Sequence, residues 1–294
     1  MQTTIPDWLK EIYPFVTKTL RTKGGARMSY VDEGPRSEEA VVMVHGNPTW
    51  SFYYRNLIRR ISPAMRCVAP DHIGMGLSEK PQDYSYRLET RIQDLDTLIG
   101  ELGLRKVHLV VHDWGGAIGL GWAGRNPEKT GRIVLLNTAA FPSERIPARI
   151  ALCRSEFPGT VLVRGLNAFA GPATWMSMNL RSLSRQEKAA YLYPYGSWKD
   201  RVAVNAFVKD IPMKAGHPSY ATLKKVGENL ASLKEHPIRL VWGGADFCFN
   251  RSFFKRFTEI FPNSGKHYLE RAGHYVLEDA QPDAIDLAAS HMRG

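Results

Sequence analysis

The stretch KVHLVVHDWGGAIGLGWAG, residues 106–124, decides the fold. Its first half, rich in Val and Leu, reads as a strand buried on both faces. After Asp113 the pattern changes: Trp114, Gly115 and Gly116 open a run of small residues at helical spacing. Strand, tight turn and small-residue helix together form a nucleophile elbow, a sharp turn that lifts one side chain above the strand end. The lifted residue is Asp113, where this motif more often carries Ser. The same stretch spells G-x-G-x-x-G at Gly119, Gly121 and Gly124. A dinucleotide fingerprint follows its strand directly and is answered by an acidic residue about 20 positions on. Neither condition holds, so these glycines are read as letting the helix pack closely on the sheet, and no cofactor is expected.

Other short apolar strands recur on both sides: AVVMVH (40–45), RCVAP (66–70), RIVLLN (132–137), IRLVW (238–242) and KHYLE (266–270), after β-rich runs near LRT and RMSYVD. Helical patterns lie between many of them. In TRIQDLDTLIGELG (90–103), Thr90 and Gln93 have capping-box spacing, Ile92, Leu95, Ile99 and Leu102 form one stripe, and Gly103 supplies a stop. Apolar strands alternating with helices predict an α/β fold, a mostly parallel sheet covered on both faces. The rhythm fails once, across 142–214, a stretch rich in Arg, Pro, Trp and Tyr. It is read as a cap over the strand ends, where open α/β sheets bind ligands. The expected division is a core domain of residues 1–141 and 215–294 with a helical cap of residues 142–214.

The chain has 294 residues, 44% of them hydrophobic, enough to bury a large core. Its formal net charge is +10, with clusters in LRTKGGAR (20–27) and YYRNLIRRI (53–61). No nucleic-acid module accompanies the charge, so it is read as a solvated surface, with attraction to a membrane surface or an acidic partner as the minority reading. The segment DWLKEIYPFV (7–16) is expected to pack on its own domain rather than lie in a lipid interface. Cys67, Cys153 and Cys248 form no C-x-x-C pair and read as small buried hydrophobes, which suits a cytoplasmic home. No export signal, membrane span or metal is expected: the opening residues lack a basic stretch before a long apolar run, no run of about 18 apolar residues occurs, and no histidine cluster suggests a metal.

The segments HGNPTW (45–50), PDHIGMGLS (70–78), HDWGG (112–116), WGGADF (242–247) and GHYVLED (273–279) follow one another in an order that resembles the α/β-hydrolase family, specifically the haloalkane dehalogenases. The likeness covers essentially the whole chain. It implies the α/β-hydrolase fold: a mostly parallel eight-stranded sheet flanked by helices, with a helical cap inserted after strand 6. Asp113 as nucleophile displaces a leaving group from saturated carbon and leaves an alkyl ester, which water activated by a base must cleave. His274 follows the last strand and is the expected base. Asp246 follows the strand before it and is expected to orient the imidazole and stabilise its charged form. In some dehalogenases that acid follows the strand before the cap. Here that position holds Asn137, leaving Asp246 the role and Glu144 a rival.

A departing halide needs hydrogen-bond donors in a mostly dry pocket. The resemblance implies that the amide of Asn47 and the indole of Trp114 supply them, and the backbone N–H groups of the two residues suit an oxyanion hole. Trp175, Phe52, Phe141, Phe169, Phe247 and Tyr275 are candidates for an apolar pocket wall, and Trp175 for a further halide contact, though core packing explains them equally well. His45 and His112 read as structural, with His112 directed away from Asp113.

The leading expectation is hydrolytic cleavage of carbon–halogen bonds to give alcohol and halide. The alternative comes from HGNPTWSFYYR, PDHIGMGLSEKP, LNTAAFP, DIPM and GHYVLED, whose wording is similar to the β-lactone decarboxylases of bacterial olefin biosynthesis. These look like the third branch of the dehalogenases, and their substrate is a cis-3-alkyl-4-alkyloxetan-2-one. Epoxide hydrolysis stays open through Tyr191, Tyr193 and Tyr195, whose O–H groups suit a nascent alkoxide. A non-catalytic binding protein is expected to have lost Asp113, Asp246 or His274, and all are present. The expected partners are a small apolar halogenated or lactone substrate, water and halide, with a pathway enzyme complex as a further reading and no nucleic acid.

Overall fold

The computed structural model describes residues 5–294. Eight strands, β1 (Thr17–Arg21), β2 (Arg27–Glu33), β3 (Glu39–Val44), β4 (Arg66–Pro70), β5 (Lys106–Asp113), β6 (Thr130–Thr138), β7 (Ile238–Gly243) and β8 (Gly265–Leu269), form one sheet in the order β1-β2-β4-β3-β5-β6-β7-β8. Only the two pairings made by β2 are antiparallel; β4, β3, β5, β6, β7 and β8 run parallel. Side chains alternate across a strand, so a strand covered on both faces must be apolar throughout. In β3, Val42 and Val44 enter one core and Val41 and Met43 the other; in β5, Leu109 and Val111 face one side and Val110 the opposite one.

Helices α1 (Asp7–Ile12), α2 (Arg55–Ile61), α3 (Leu88–Glu101) and α4 (Trp114–Ala123) lie before β6. Between β6 and β7 come α5 (Ala148–Arg154), α6 (Ala170–Met176), α7 (Arg185–Leu192), α8 (Val202–Lys209) and α9 (Tyr220–Asn229), and after β7 come α10 (Arg251–Ile260), α11 (Val276–Asp279) and α12 (Asp283–Arg293). The first core takes the stripe of α3 together with α4, α9 and α10, and the second takes α1, α2 and α12. Burying each Leu or Ile of these stripes contributes about 1.5–3 kcal/mol. Residues 142–214, the stretch read as a cap, carry helices and turns and no strand, and many of them line the cavity onto which Asp113 at the end of β5 opens. As expected, α1 packs on the domain: Leu9 and Tyr13 are buried, and the Tyr13 hydroxyl bonds Ser51 at 2.6 Å.

Helix α3 departs from the capping box expected at Thr90 and Gln93. It starts at Leu88, and Thr90 and Gln93 bond Ser85 and Glu89 instead. A carboxylate from the end of α8 does the capping, because Asp210 accepts the Leu88 N–H at 2.9 Å and pairs with Arg87 and Arg91. Gly103 ends the helix with φ +63°, as its sequence position predicts. The glycines of the false dinucleotide motif sit under close neighbours: a Cβ on Gly119 would lie 2.6 Å from Val111, and one on Gly121 2.6 Å from Ile92.

Candidate active site

Asp113 stands where β5 becomes α4, with φ +53° and ψ −126°, a conformation that few non-glycine residues adopt. The pairing of β5 with β6 slips by one residue between His112 and Asp113, which turns the carboxylate out of the sheet. The Thr138 hydroxyl donates to the Asp113 carbonyl and fixes the turn. Gly115 is required here, since a Cβ on it would fall 1.9 Å from the Val44 carbonyl oxygen. Gly46 is required too: its Cβ would collide with the Asp113 carboxylate at 2.1 Å.

The carboxylate accepts the backbone N–H of Asn47 at 2.6 Å and also that of Trp114. Burial raises its pKa above the usual carboxylate value, and the His274 imidazole and these two N–H groups partly oppose the rise. His274 Nε2 stands 3.9 Å from Asp113 Oδ2, and its Nδ1 bonds Asp246 Oδ2 at 2.8 Å. Burial alone lowers the imidazole pKa, but the Asp246 charge and hydrogen bond, helped by Asp113, overcome it and leave the ring more basic than an ordinary histidine. The three sequence-assigned residues, Asp113, His274 and Asp246, therefore stand in one line. Glu144, the rival acid, is exposed on the segment leading into the cap, while Asp246 is buried.

Asn137 is the site residue that sequence reasoning missed. Its amide donates to Asp246 Oδ2 and to the Gly243 carbonyl, both at 2.9 Å, and its side-chain oxygen accepts the Gly243 N–H at 2.7 Å. The signal was its place: it occupies the alternative acid position at the end of β6 and bonds from there to Asp246, in the loop after β7. His112 does lie on the other side of the strand from Asp113, yet it serves the site, because its Nε2 donates to the His274 carbonyl at 2.9 Å. Burial pushes its pKa well below the usual histidine range, so it stays neutral. His45 is structural: burial lowers its pKa to about 4, and its ring bonds the Gly46 carbonyl and the His72 N–H.

Asp113, Trp114, Asn47 and His274 open onto a cavity of about 380 Å³. The Asn47 amide gives one N–H to the Val204 carbonyl of α8 at 3.1 Å, and the Trp114 ring packs on Phe207 of the same helix, centroids 5.6 Å apart. Helix α8 thus contacts both residues that the sequence reading assigns as leaving-group donors. Phe141, Phe169, Phe247 and Trp175 line the cavity as expected, and so do Cys248 and Phe249, which were not singled out for it. Cys248 is thus not a plain core residue, although burial raises its thiol pKa well above the usual value.

Two expectations about the wall are corrected. Phe52 and Tyr275 do not line the cavity: Phe52 lies in the second core under Arg55, and Tyr275 is packed between Tyr53 and Tyr191. Residue type fixed their burial but not which side of the sheet received them. Trp175 stands at the mouth with 63% of its surface exposed, which removes it as a dry halide donor. The tyrosines that kept epoxide opening in view are also placed away from the cavity. Tyr191 bonds Glu278 at 2.6 Å, Tyr195 bonds the Thr49 carbonyl, and Tyr193 is on the surface against Trp8. No group of three or more His, Cys, Asp or Glu side chains is arranged to hold a metal among the described residues.

A buried ion cluster ties the cap to the loop that carries His274. Glu278 is bonded by Arg55, by Arg181 at 3.0 Å and by Tyr191 of α7, while Arg55 also reaches Glu187 of α7 at 2.9 Å. Glu278→Ala leaves Arg55 buried with its main partner gone, and is expected to destabilise the fold by about 3–5 kcal/mol. Denaturant unfolding checks this, and a change of less than about 1 kcal/mol would contradict it.

Residues 39–281 match the model of the family described as alpha/beta hydrolase fold. The chain belongs to that family. It is 41% identical to a cis-3-alkyl-4-alkyloxetan-2-one decarboxylase of Shewanella oneidensis, over 94% of this chain and 88% of that protein. It is 30% identical to haloalkane dehalogenase 2 of Mycobacterium tuberculosis, over 95% of each. The crystal structure of a haloalkane dehalogenase from Bradyrhizobium elkani superposes with a TM-score of 0.87 at 27% identity, covering 95% of this chain and 98% of that one.

Proposed function

We propose that the protein decarboxylates a cis-3,4-dialkyl β-lactone to an alkene, through an ester formed on Asp113. This reverses the order in which the sequence alone ranks dehalogenation and decarboxylation. The observation that carries it is the 41% identity to a decarboxylase against 30% to a dehalogenase, over nearly the same share of the chain. The site suits the chemistry as well. An Asp113 oxygen attacks C4 of the strained ring, the C4–O bond breaks with inversion, and the freed carboxylate meets the N–H donors of Asn47 and Trp114. The electrons of the C2–C3 bond then form the C3=C4 double bond, carbon dioxide leaves, and the bond from C4 to Asp113 breaks to restore the carboxylate. Inversion followed by anti elimination keeps the alkyl groups cis. No water, oxidant or net proton is consumed. A basic His274 beside Asp113 favours this route, since an imidazolium there stabilises the departing carboxylate.

Hydrolytic dehalogenation is the second reading, supported by the presence of Asn47 and Trp114 beside Asp113 on the cavity wall, where they would serve as donors to an expelled halide. Offering the protein a cis-3,4-dialkyl β-lactone and, separately, 1,2-dibromoethane separates the two. The expected result is cis-alkene and carbon dioxide in amounts equal to the lactone consumed. Bromide release with the lactone untouched, or a β-hydroxy acid as sole product, would overturn decarboxylation. For either substrate, Trp114→Phe and Asn47→Ala are expected to slow ester formation by roughly tenfold to a thousandfold, the usual loss for one preorganised donor. Single-turnover rates check this, and an unchanged rate for both would remove the pair from the chemistry.

A further inference from the structure

We infer that the outer face of the cap around the cavity mouth docks on an anionic lipid bilayer. Residues 145–176 supply much of the cavity wall, and they also carry Leu152, Phe157, Val161, Leu166 and Trp175, exposed by 52, 81, 40, 70 and 63%. The segment that carries them is held together by contacts of its own. The Leu166 N–H bonds the Val161 carbonyl, a Cβ on Gly159 would strike the Cys153 carbonyl, and Arg149 of α5 reaches the Met176 sulfur of α6 at 3.4 Å. A soluble surface seldom leaves so many large apolar groups in water within one segment.

Charge indicates the occupant. Across residues 145–176 the chain carries Arg145, Arg149, Arg154 and Arg164 against a single acid, Glu156, which pairs with Lys209. Across the whole cap, 142–214, 11 Lys and Arg face 5 Asp and Glu. Basic side chains interleaved with Phe, Leu and Trp suit an interface where phosphate headgroups sit above acyl chains. No helix among the described residues is long and apolar enough to cross a membrane, so the contact is peripheral. Arg145, Arg149 and Trp175 line the cavity and are exposed, so the mouth opens beside these three residues of the segment. A dialkyl substrate dissolved in the bilayer then enters without crossing water. That purpose rests on the proposed reaction; the docking does not.

The test is co-sedimentation of the full chain with phosphatidylcholine vesicles, with and without phosphatidylglycerol. Binding to the anionic vesicles, weakened by salt, is expected, and Phe157→Ser combined with Leu166→Ser lowers it by at least about tenfold. Neither residue lines the cavity, so turnover of a short, water-soluble substrate stays at the wild-type rate. No binding to anionic vesicles, or equal binding by the double variant, would overturn the inference. So would a lipid-free dimer that the double variant converts to monomer, since a second copy would then be the occupant. Vesicle binding without lactone turnover sinks the reaction and keeps the dock; turnover without binding does the reverse.

Discussion

Asp113→Asn abolishes turnover, with a loss on the order of 10⁴- to 10⁶-fold, the scale seen when a covalent nucleophile is removed. The substitution keeps the shape of the side chain and an oxygen to accept the Asn47 N–H, which the carboxylate takes at 2.6 Å. It removes the charge that attacks carbon. Asp113→Ala gives the same loss, so the defect is chemical rather than steric. Stability moves the other way. Burial raises the Asp113 pKa, so the ionised group opposes folding above its unfolded-state pKa, and a neutral amide relieves that cost. Thermal unfolding of the Asn variant at neutral pH is therefore expected at or above the wild-type temperature. A variant that keeps a tenth of wild-type activity would remove Asp113 from the role of nucleophile.

His274→Gln has the next largest effect, and it acts after the first step. The ester still forms, because the nucleophile and its two backbone donors are intact. It then stands, since water lacks a base in one reading and the departing carboxylate lacks its counter-charge in the other. Steady-state turnover falls by on the order of 10³-fold or more while the first-turnover burst survives. The wild type carries a matching pH signature. If the ester is hydrolysed, the neutral imidazole is required, and a His274 pKa raised above 6.5 means that hydrolysis fades as pH falls through that raised value. If the ester is lost with carbon dioxide, protonating His274 does not suppress the step, and acid slows it only where the carboxylate released from the lactone is itself protonated. A burst lost together with turnover would place His274 in the first step and contradict this order.

Much of this was legible in the sequence because its causes are local. Strands covered on both faces must be apolar, so the central ones, β3, β4, β5, β6 and β7, were readable, and the elbow announces itself through the glycines that follow Asp113. The strand-end positions of Asp246 and His274 were readable for the same reason. What escaped reading depends on partners distant in sequence. The start of α3 is fixed by Asp210, which lies more than a hundred residues away and supplants the local pattern at Thr90 and Gln93. Phe52 and Tyr275 were recognisable as buried aromatics, but a turn and a short helix gave no period from which to read the face. Asn137 was noticed only as a missing carboxylate, whereas its amide fastens Asp246 to β7. The Arg55–Glu278–Arg181–Glu187 cluster joins four segments, and no one of them hints at the others.

The central claim is that Asp113 becomes covalently bound to a carbon of the substrate. Trypsin cleaves after Lys106 and Arg125, and the peptide between them contains no acidic residue except Asp113. The His274→Gln protein is mixed with whichever substrate the wild type consumes, quenched in acid, digested and weighed by mass spectrometry. A gain on this peptide equal to the alkyl group of the haloalkane, or to the intact lactone, is the predicted result. An unmodified peptide, while the wild type consumes the same substrate, would contradict covalent catalysis at Asp113.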